Sequence, residues 1–163
     1  MRTVGVPERP EWRRQIQESL TAFLDIAKLA GEPLSMDEII VEYLDLPHRP
    51  PASLPAGMMA IYGFWGDGSW LKLGKAGPKS SARYTSQHYG FSARSTLAQS
   101  LIRAHCRQPI AGFNPLTPGD WIKAQTHRVN ILIPIQRRPE LLSLLEAFLH
   151  VRLDPRFEGF AGR

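Results

Sequence analysis

The 163-residue chain predicts a mixed α+β fold, and three features of its sequence lead there. Two apolar segments flank the turn Gly66-Asp67-Gly68 and read as a β-hairpin. A further β-branched and aromatic stretch runs from Trp121 to Ile135 and reads as a third strand. Helical periodicity occupies long segments on either side of these strands.

Taken in order, Trp12, Ile16, Leu20, Phe23, Leu24 and Ala27 recur at helical spacing, so residues 10–30 predict an amphipathic helix that Gly31 and Pro33 end. Ser35-Met36-Asp37-Glu38 has the form of a capping box and predicts a short helix through Tyr43 or Leu44. Pro47, Pro50, Pro51 and Pro55 make the next stretch an extended linker. After the hairpin, Gly77-Pro78 predicts a helix entry, and that helix carries Arg83 and frays near His88. Ser92–Cys106 predicts a second helix with Leu97, Leu101 and Ile102 as its apolar stripe, and residues 108–120, with three prolines, predict a loop. Pro139 opens a strongly apolar helix through Leu153. The resulting organisation is a helical extension over residues 1–45, a proline-rich linker over 46–57 and a main domain over 58–163.

The hairpin places two polar groups together. If it is symmetric about Asp67, Tyr62 and Lys72 are cross-strand partners on an exposed face, between the small residues Ala60 and Gly74. Strand alternation then sends Ile61, Leu71 and Leu73 to the opposite, buried face. Alone, such a pair is an ordinary surface contact. The same holds for Glu146, at the rim of the last helix's apolar face, where His150 is its neighbour one turn on. A partly buried glutamate there calls for a partner, and a bound cation is one.

Charge is segregated along the chain. Residues 1–67 carry six Lys/Arg against ten Asp/Glu, whereas residues 68–139 carry eleven against one, Asp120. Lys72, Lys75, Lys79, Arg83, Arg94, Arg103 and Arg107 spread through that block, interleaved with Tyr84, Tyr89 and Phe91. Such a block suits a polyanion, and nucleic acid is the commonest. The single cysteine, Cys106, excludes an intramolecular disulfide, and no apolar run reaches the length of a membrane span. The expectation is a soluble cytoplasmic protein with no membrane association.

These residues together resemble a known pattern. From Met58 to about Phe160 the chain resembles the GIY-YIG nuclease domain: Ala60-Ile61-Tyr62 matches the first signature triplet with Ala for Gly. Lys72-Leu73-Gly74 matches the second with Lys for Tyr, as in a restriction endonuclease of the family, and Lys75-Ala76 follows as is typical there. Arg83 falls at the family's helical arginine and Glu146 at its metal-binding glutamate. The resemblance implies a small three-stranded antiparallel sheet flanked by helices, and a metal-dependent endonuclease acting on DNA, with RNA not excluded, in restriction or defence. It implies Mg²⁺ or Mn²⁺ on Glu146, Arg83 on the scissile phosphate, and Tyr62 on the attacking water with Lys72 beside it. The products would carry 5′-phosphate and 3′-hydroxyl ends. The family's His/Tyr position has three candidates here, Gln87, His88 and Tyr84. On an ideal helix His88 lies about 140° from Arg83 and reaches the site only where the helix ends early. Lys75, Lys79, Tyr84, Arg94, Arg103, His127 and Arg128 are the expected nucleic-acid contacts. Two further classes fit the same residues: a binding module without turnover, and a nuclease subunit that associates with a partner or with itself through its N-terminal helices.

Overall fold

The computed structural model describes residues 9–157. Among them, four strands form one antiparallel sheet and five helices cover it. The strands β1 (Ile40–Leu44), β2 (Met58–Gly66), β3 (Ser69–Ala76) and β4 (His127–Pro134) stand in the order β1-β4-β2-β3. The α+β class holds, and the sheet has four strands where three were expected.

The fourth strand comes from the segment read as a second N-terminal helix. The capping box forms, with the Ser35 N–H donating to Glu38 Oε2 at 3.0 Å and the Asp37 N–H to Ser35 Oγ at 3.3 Å. It closes only a 3₁₀ turn, Met36–Glu38. The β-branched pair Ile40-Val41 then extends along β4, with Ile40 opposite Leu132 and Leu44 opposite Arg128. An Arg137–Glu38 ion pair ties the start of β1 to the chain leaving β4.

Both faces of the sheet are covered. On one lie α1 (Glu11–Leu29) and α5 (Pro139–Leu153). Ile16, Leu20 and Phe23 of α1 and Leu141, Leu145 and Leu149 of α5 meet Ile61, Leu73, Ile131 and Ile133 of the sheet in one core. Phe23 and Phe148 are packed with ring centroids 5.7 Å apart. α1 ends where glycine permits a left-handed residue: Gly31 has φ +78°, and the Glu32 N–H reaches back to the Ala27 carbonyl at 2.9 Å. The N-terminal helix therefore covers its own chain's sheet, sharing that work with α5.

On the other face lie α2 (Ser81–Thr85), a 3₁₀ turn Gln87–Tyr89, α3 (Leu97–Arg107) and α4 (Pro118–Gln125). Their residues Tyr84, Leu97, Leu101 and Ile122 pack on Tyr62, Phe64 and Leu71. Several boundaries differ from the sequence expectation. α2 starts at Ser81, after the Gly77-Pro78 entry. α3 starts at Leu97 because the Thr96 hydroxyl accepts from the Gln99 N–H at 3.2 Å and fixes the first turn there. Trp121 lies in α4, which Pro118 opens at its first position, and the strand begins only at His127.

The hairpin register is also shifted. Asp67 and Gly68 both have positive φ, 51° and 68°, so the turn has two central residues, with Gly66 opposite Ser69. An irregularity between Phe64 and Trp65 adds one more residue on β3, which puts Phe64 opposite Lys72 and Tyr62 opposite Gly74. Tyr62 and Lys72 are thus diagonal neighbours rather than direct partners. Neither is on an open face: Tyr62 is 0 % and Lys72 4 % exposed. Leu71, expected behind the sheet, joins Tyr62 and Phe64 in the second core because of the same extra residue.

Burial of α1 sets a stability expectation. Phe23→Ala removes a fully buried aromatic ring and should cost about 3–5 kcal/mol in chemical denaturation. A loss under about 1 kcal/mol would show that α1 is not part of the core.

Candidate active site

Tyr62 is the centre of the site, and the sheet builds its position. It lies on β2, the strand flanked by β3 and β4, and its ring lies directly over Gly74. A Cβ on Gly74 would stand 2.6 Å from Tyr62 Oη, so a side chain there would displace the phenol. The space between the small residues Ala60 and Gly74 is thus taken by the tyrosine itself.

Termination of α2 at Thr85 brings in the next group. The chain tightens into the turn Gln87–Tyr89, and His88 points inward rather than round the helix. His88 Nε2 lies 2.8 Å from Tyr62 Oη, and the Leu97 N–H donates to His88 Nδ1 at 3.1 Å. The backbone donor requires a lone pair on Nδ1, so the neutral ring carries its proton on Nε2 and donates it to the phenol oxygen. Of the three candidates for this position, His88 is the one bonded to Tyr62. Tyr84 is directed elsewhere, its hydroxyl donating to Glu42 Oε2 at 3.4 Å.

The electrostatics of the pair follow from burial. Burial pushes the His88 pKa down to about 2, and the positive charges of Arg83, Lys72 and Arg128 act in the same direction. Burial pushes the Tyr62 pKa up to about 12; Arg83 and Arg128 pull against it, and the Glu146 carboxylate adds to it. At neutral pH the site therefore holds a neutral imidazole and a neutral phenol. The same interactions bring Arg83, from α2, and Glu146, from α5, into electrostatic reach of the phenol oxygen. Lys72, on the same face of β3, donates to the Phe157 carbonyl at 3.1 Å.

Glu146 has a cation beside it already. Its Oε2 is 2.8 Å from Lys75 Nζ, which also donates to Ser143 Oγ at 3.0 Å. The Glu146 side chain is 23 % exposed and that of Lys75 41 %. Among the described residues no group of three or more His, Cys, Asp or Glu side chains is arranged to hold a metal ion. The donor set at this point is one accessible carboxylate, which fits Mg²⁺, an ion that keeps several waters and takes one or two carboxylates together with substrate phosphates.

The expected nucleic-acid residues divide into two groups. Lys79, Arg94 and Arg103 are exposed. Tyr84 and Arg128 are each 1 % exposed, which removes them from a contact surface. The Arg128 guanidinium donates through Nε to Asn130 Oδ1 at 2.8 Å, through Nη1 to Tyr89 Oη at 3.0 Å and through Nη2 to the Tyr84 carbonyl. It also lies 5.1–5.4 Å from the ring centres of Tyr62, Phe64 and Tyr84. His127, at the start of β4, stacks on Trp12 at 4.9 Å and accepts from the Leu46 N–H at 3.2 Å. Lys75 is engaged by Glu146. Asn130, Glu42 and His48, which have no role in the sequence reading, extend the Arg128 network, as does Tyr89, expected only among the aromatics of the basic block. The alternation Arg128-x-Asn130 on one strand face was the available signal.

Against known proteins, no family model matches the chain, and no curated protein and no solved structure matches it.

The low pKa of His88 has a consequence for stability. Unfolded, the ring takes up a proton near pH 6.5; folded, it does not until about pH 2. The unfolded state therefore binds more protons in that window, and stability falls as pH falls from above 6.5. Wild type should lose about 1.4 kcal/mol between pH 7.5 and 5.5 from this group. His48, whose pKa burial also lowers, adds loss of the same sign. Denaturant titrations of His88→Gln should show that loss smaller by about 1.4 kcal/mol. Equal losses in the two proteins would mean that His88 is not buried neutral.

Proposed function

We propose that the chain is a metal-dependent endonuclease hydrolysing phosphodiester bonds in DNA, with a role in restriction or defence against foreign DNA. The observation that carries this reading is a cluster: the Tyr62 phenol of β2 bonds the His88 imidazole of the turn after α2, and the Arg83 guanidinium of α2 and the Glu146 carboxylate of α5 both act electrostatically on that phenol. A carboxylate and a guanidinium within electrostatic reach of one phenol are the groups a phosphodiester needs, one to hold a divalent cation and one to hold phosphate. The resemblance to the GIY-YIG nucleases assigns Tyr62, Arg83 and Glu146, and His88 is one of its three candidates for the fourth position.

The residues divide the work as follows. Glu146 would hold Mg²⁺ or Mn²⁺, which supplies Lewis-acid stabilisation of charge on the phosphoryl oxygens when bound. Arg83 binds the scissile phosphate with a fixed positive charge. Lys79, Arg94 and Arg103 supply exposed charge for the flanking backbone. Tyr62 enters as the neutral phenol: with its pKa near 12, the phenolate is a very small fraction at neutral pH. Since His88 Nε2–H already donates to its oxygen, the Tyr62 hydroxyl hydrogen is left to orient the attacking water or a phosphoryl oxygen, which reaches the 0 % exposed phenol only once the groups covering it move aside. His88 cannot take that hydrogen in turn, because Nε2 is protonated and Nδ1 is occupied by the Leu97 N–H. Tyr62 therefore serves better as an orienting group than as a base that accepts the water's proton.

The reading is tested on supercoiled plasmid, single-stranded DNA and RNA, each with Mg²⁺ or with EDTA. Wild type should cut in Mg²⁺ and not in EDTA, with Glu146→Gln and Tyr62→Phe each reducing cutting by a factor of about 100 or more. Salt-sensitive binding with no cutting of any substrate would overturn the nuclease reading. It would leave the binding module, which the Lys75–Glu146 pair across the carboxylate favours.

A further inference from the structure

We propose that Lys75 is an internal competitor for the metal at Glu146. The inference rests on the nuclease reading and adds to it how the site is loaded. Lys75 Nζ sits 2.8 Å from Glu146 Oε2 and 3.0 Å from Ser143 Oγ, two residues on the face of α5 that looks toward β3. The ammonium thus occupies the place of a cation on the one accessible carboxylate of the site. A divalent ion entering there meets a resident positive charge that it must either displace or tolerate at short range.

Displacement is feasible on this geometry. Lys75 is an exposed residue on β3, and its long stem gives Nζ reach to other positions without backbone movement. Until it is displaced, the ammonium holds the carboxylate and keeps metal affinity low.

The test is Mn²⁺ binding to the full-length protein without DNA, followed by the electron paramagnetic resonance signal of free Mn²⁺. Wild type, Lys75→Met, Lys75→Arg and Glu146→Gln are compared, with thermal melts confirming that each folds. Lys75→Met should bind Mn²⁺ about fivefold tighter than wild type, since it keeps the stem and removes the charge. Lys75→Arg should stay close to wild type, and Glu146→Gln should lose the site. Equal affinity in wild type and Lys75→Met, with binding still lost in Glu146→Gln, would overturn competition by Lys75 while leaving the metal-binding carboxylate in place. Absence of Glu146-dependent binding in both would overturn the metal assignment, and the competition with it.

Discussion

The site depends on one buried cation. Arg128 is 1 % exposed, and an uncompensated charge at that depth would be expensive. Compensation comes from its surroundings: three hydrogen-bond acceptors in three directions and three aromatic faces around the guanidinium. The nearest carboxylate in the network, Glu42 on β1, acts at one remove, accepting from Asn130 Nδ2 at 3.0 Å and from Tyr84 Oη at 3.4 Å. Arg128 therefore joins the sheet to the irregular segment after β3. Its bonds to the Tyr84 carbonyl and the Tyr89 hydroxyl fix both sides of His88, and its face lies against the Tyr62 ring. Tyr89 passes the constraint on to His48, whose Nε2 is 2.7 Å from the Tyr89 oxygen and whose Nδ1 is 2.7 Å from the Thr126 carbonyl.

This arrangement accounts for the division among the basic residues. Two cations of the basic block are committed inside the chain, Arg128 to the aromatic cage and Lys72 to the Phe157 carbonyl. Burial holds the His88 imidazole neutral, and both cations, together with Arg83, lower its pKa further. A neutral imidazole with one proton on Nε2 is a fixed donor, and the phenol it bonds is fixed in turn. Rigidity of this pair, rather than a titrating acid and base, is what the interior supplies. The cations Lys79, Arg94 and Arg103 stay exposed.

Much of this was legible in the chain, and the failures have physical causes. The stripes Trp12–Ala27 and Leu141–Leu149 gave α1 and α5 because each repeats at helical period over several turns. β1 was hidden by a genuine capping box, whose local hydrogen bonds close one 3₁₀ turn before pairing with β4 wins. The hairpin was visible in its Asp-Gly turn, whereas its register depended on a two-residue loop and an added residue on β3 that no pattern reports. Tyr62 was found, but on a face taken as open, since alternation along β2 cannot say that helices cover both sides. Arg128 was read as a surface contact for the same reason: a charged residue on a strand is usually solvated, and only the aromatic residues of distant segments make this one internal.

The most direct test of Arg128 as the anchor is amide hydrogen exchange of wild type against Arg128→Met, read at Leu97. That N–H is bonded to His88 Nδ1 and reports whether the histidine is still held. Faster exchange at Leu97 and across residues 84–97, with the β1–β4 pairing still protected, is the expected result. Unchanged protection at Leu97 would show that the Tyr62–His88 pair is held without Arg128.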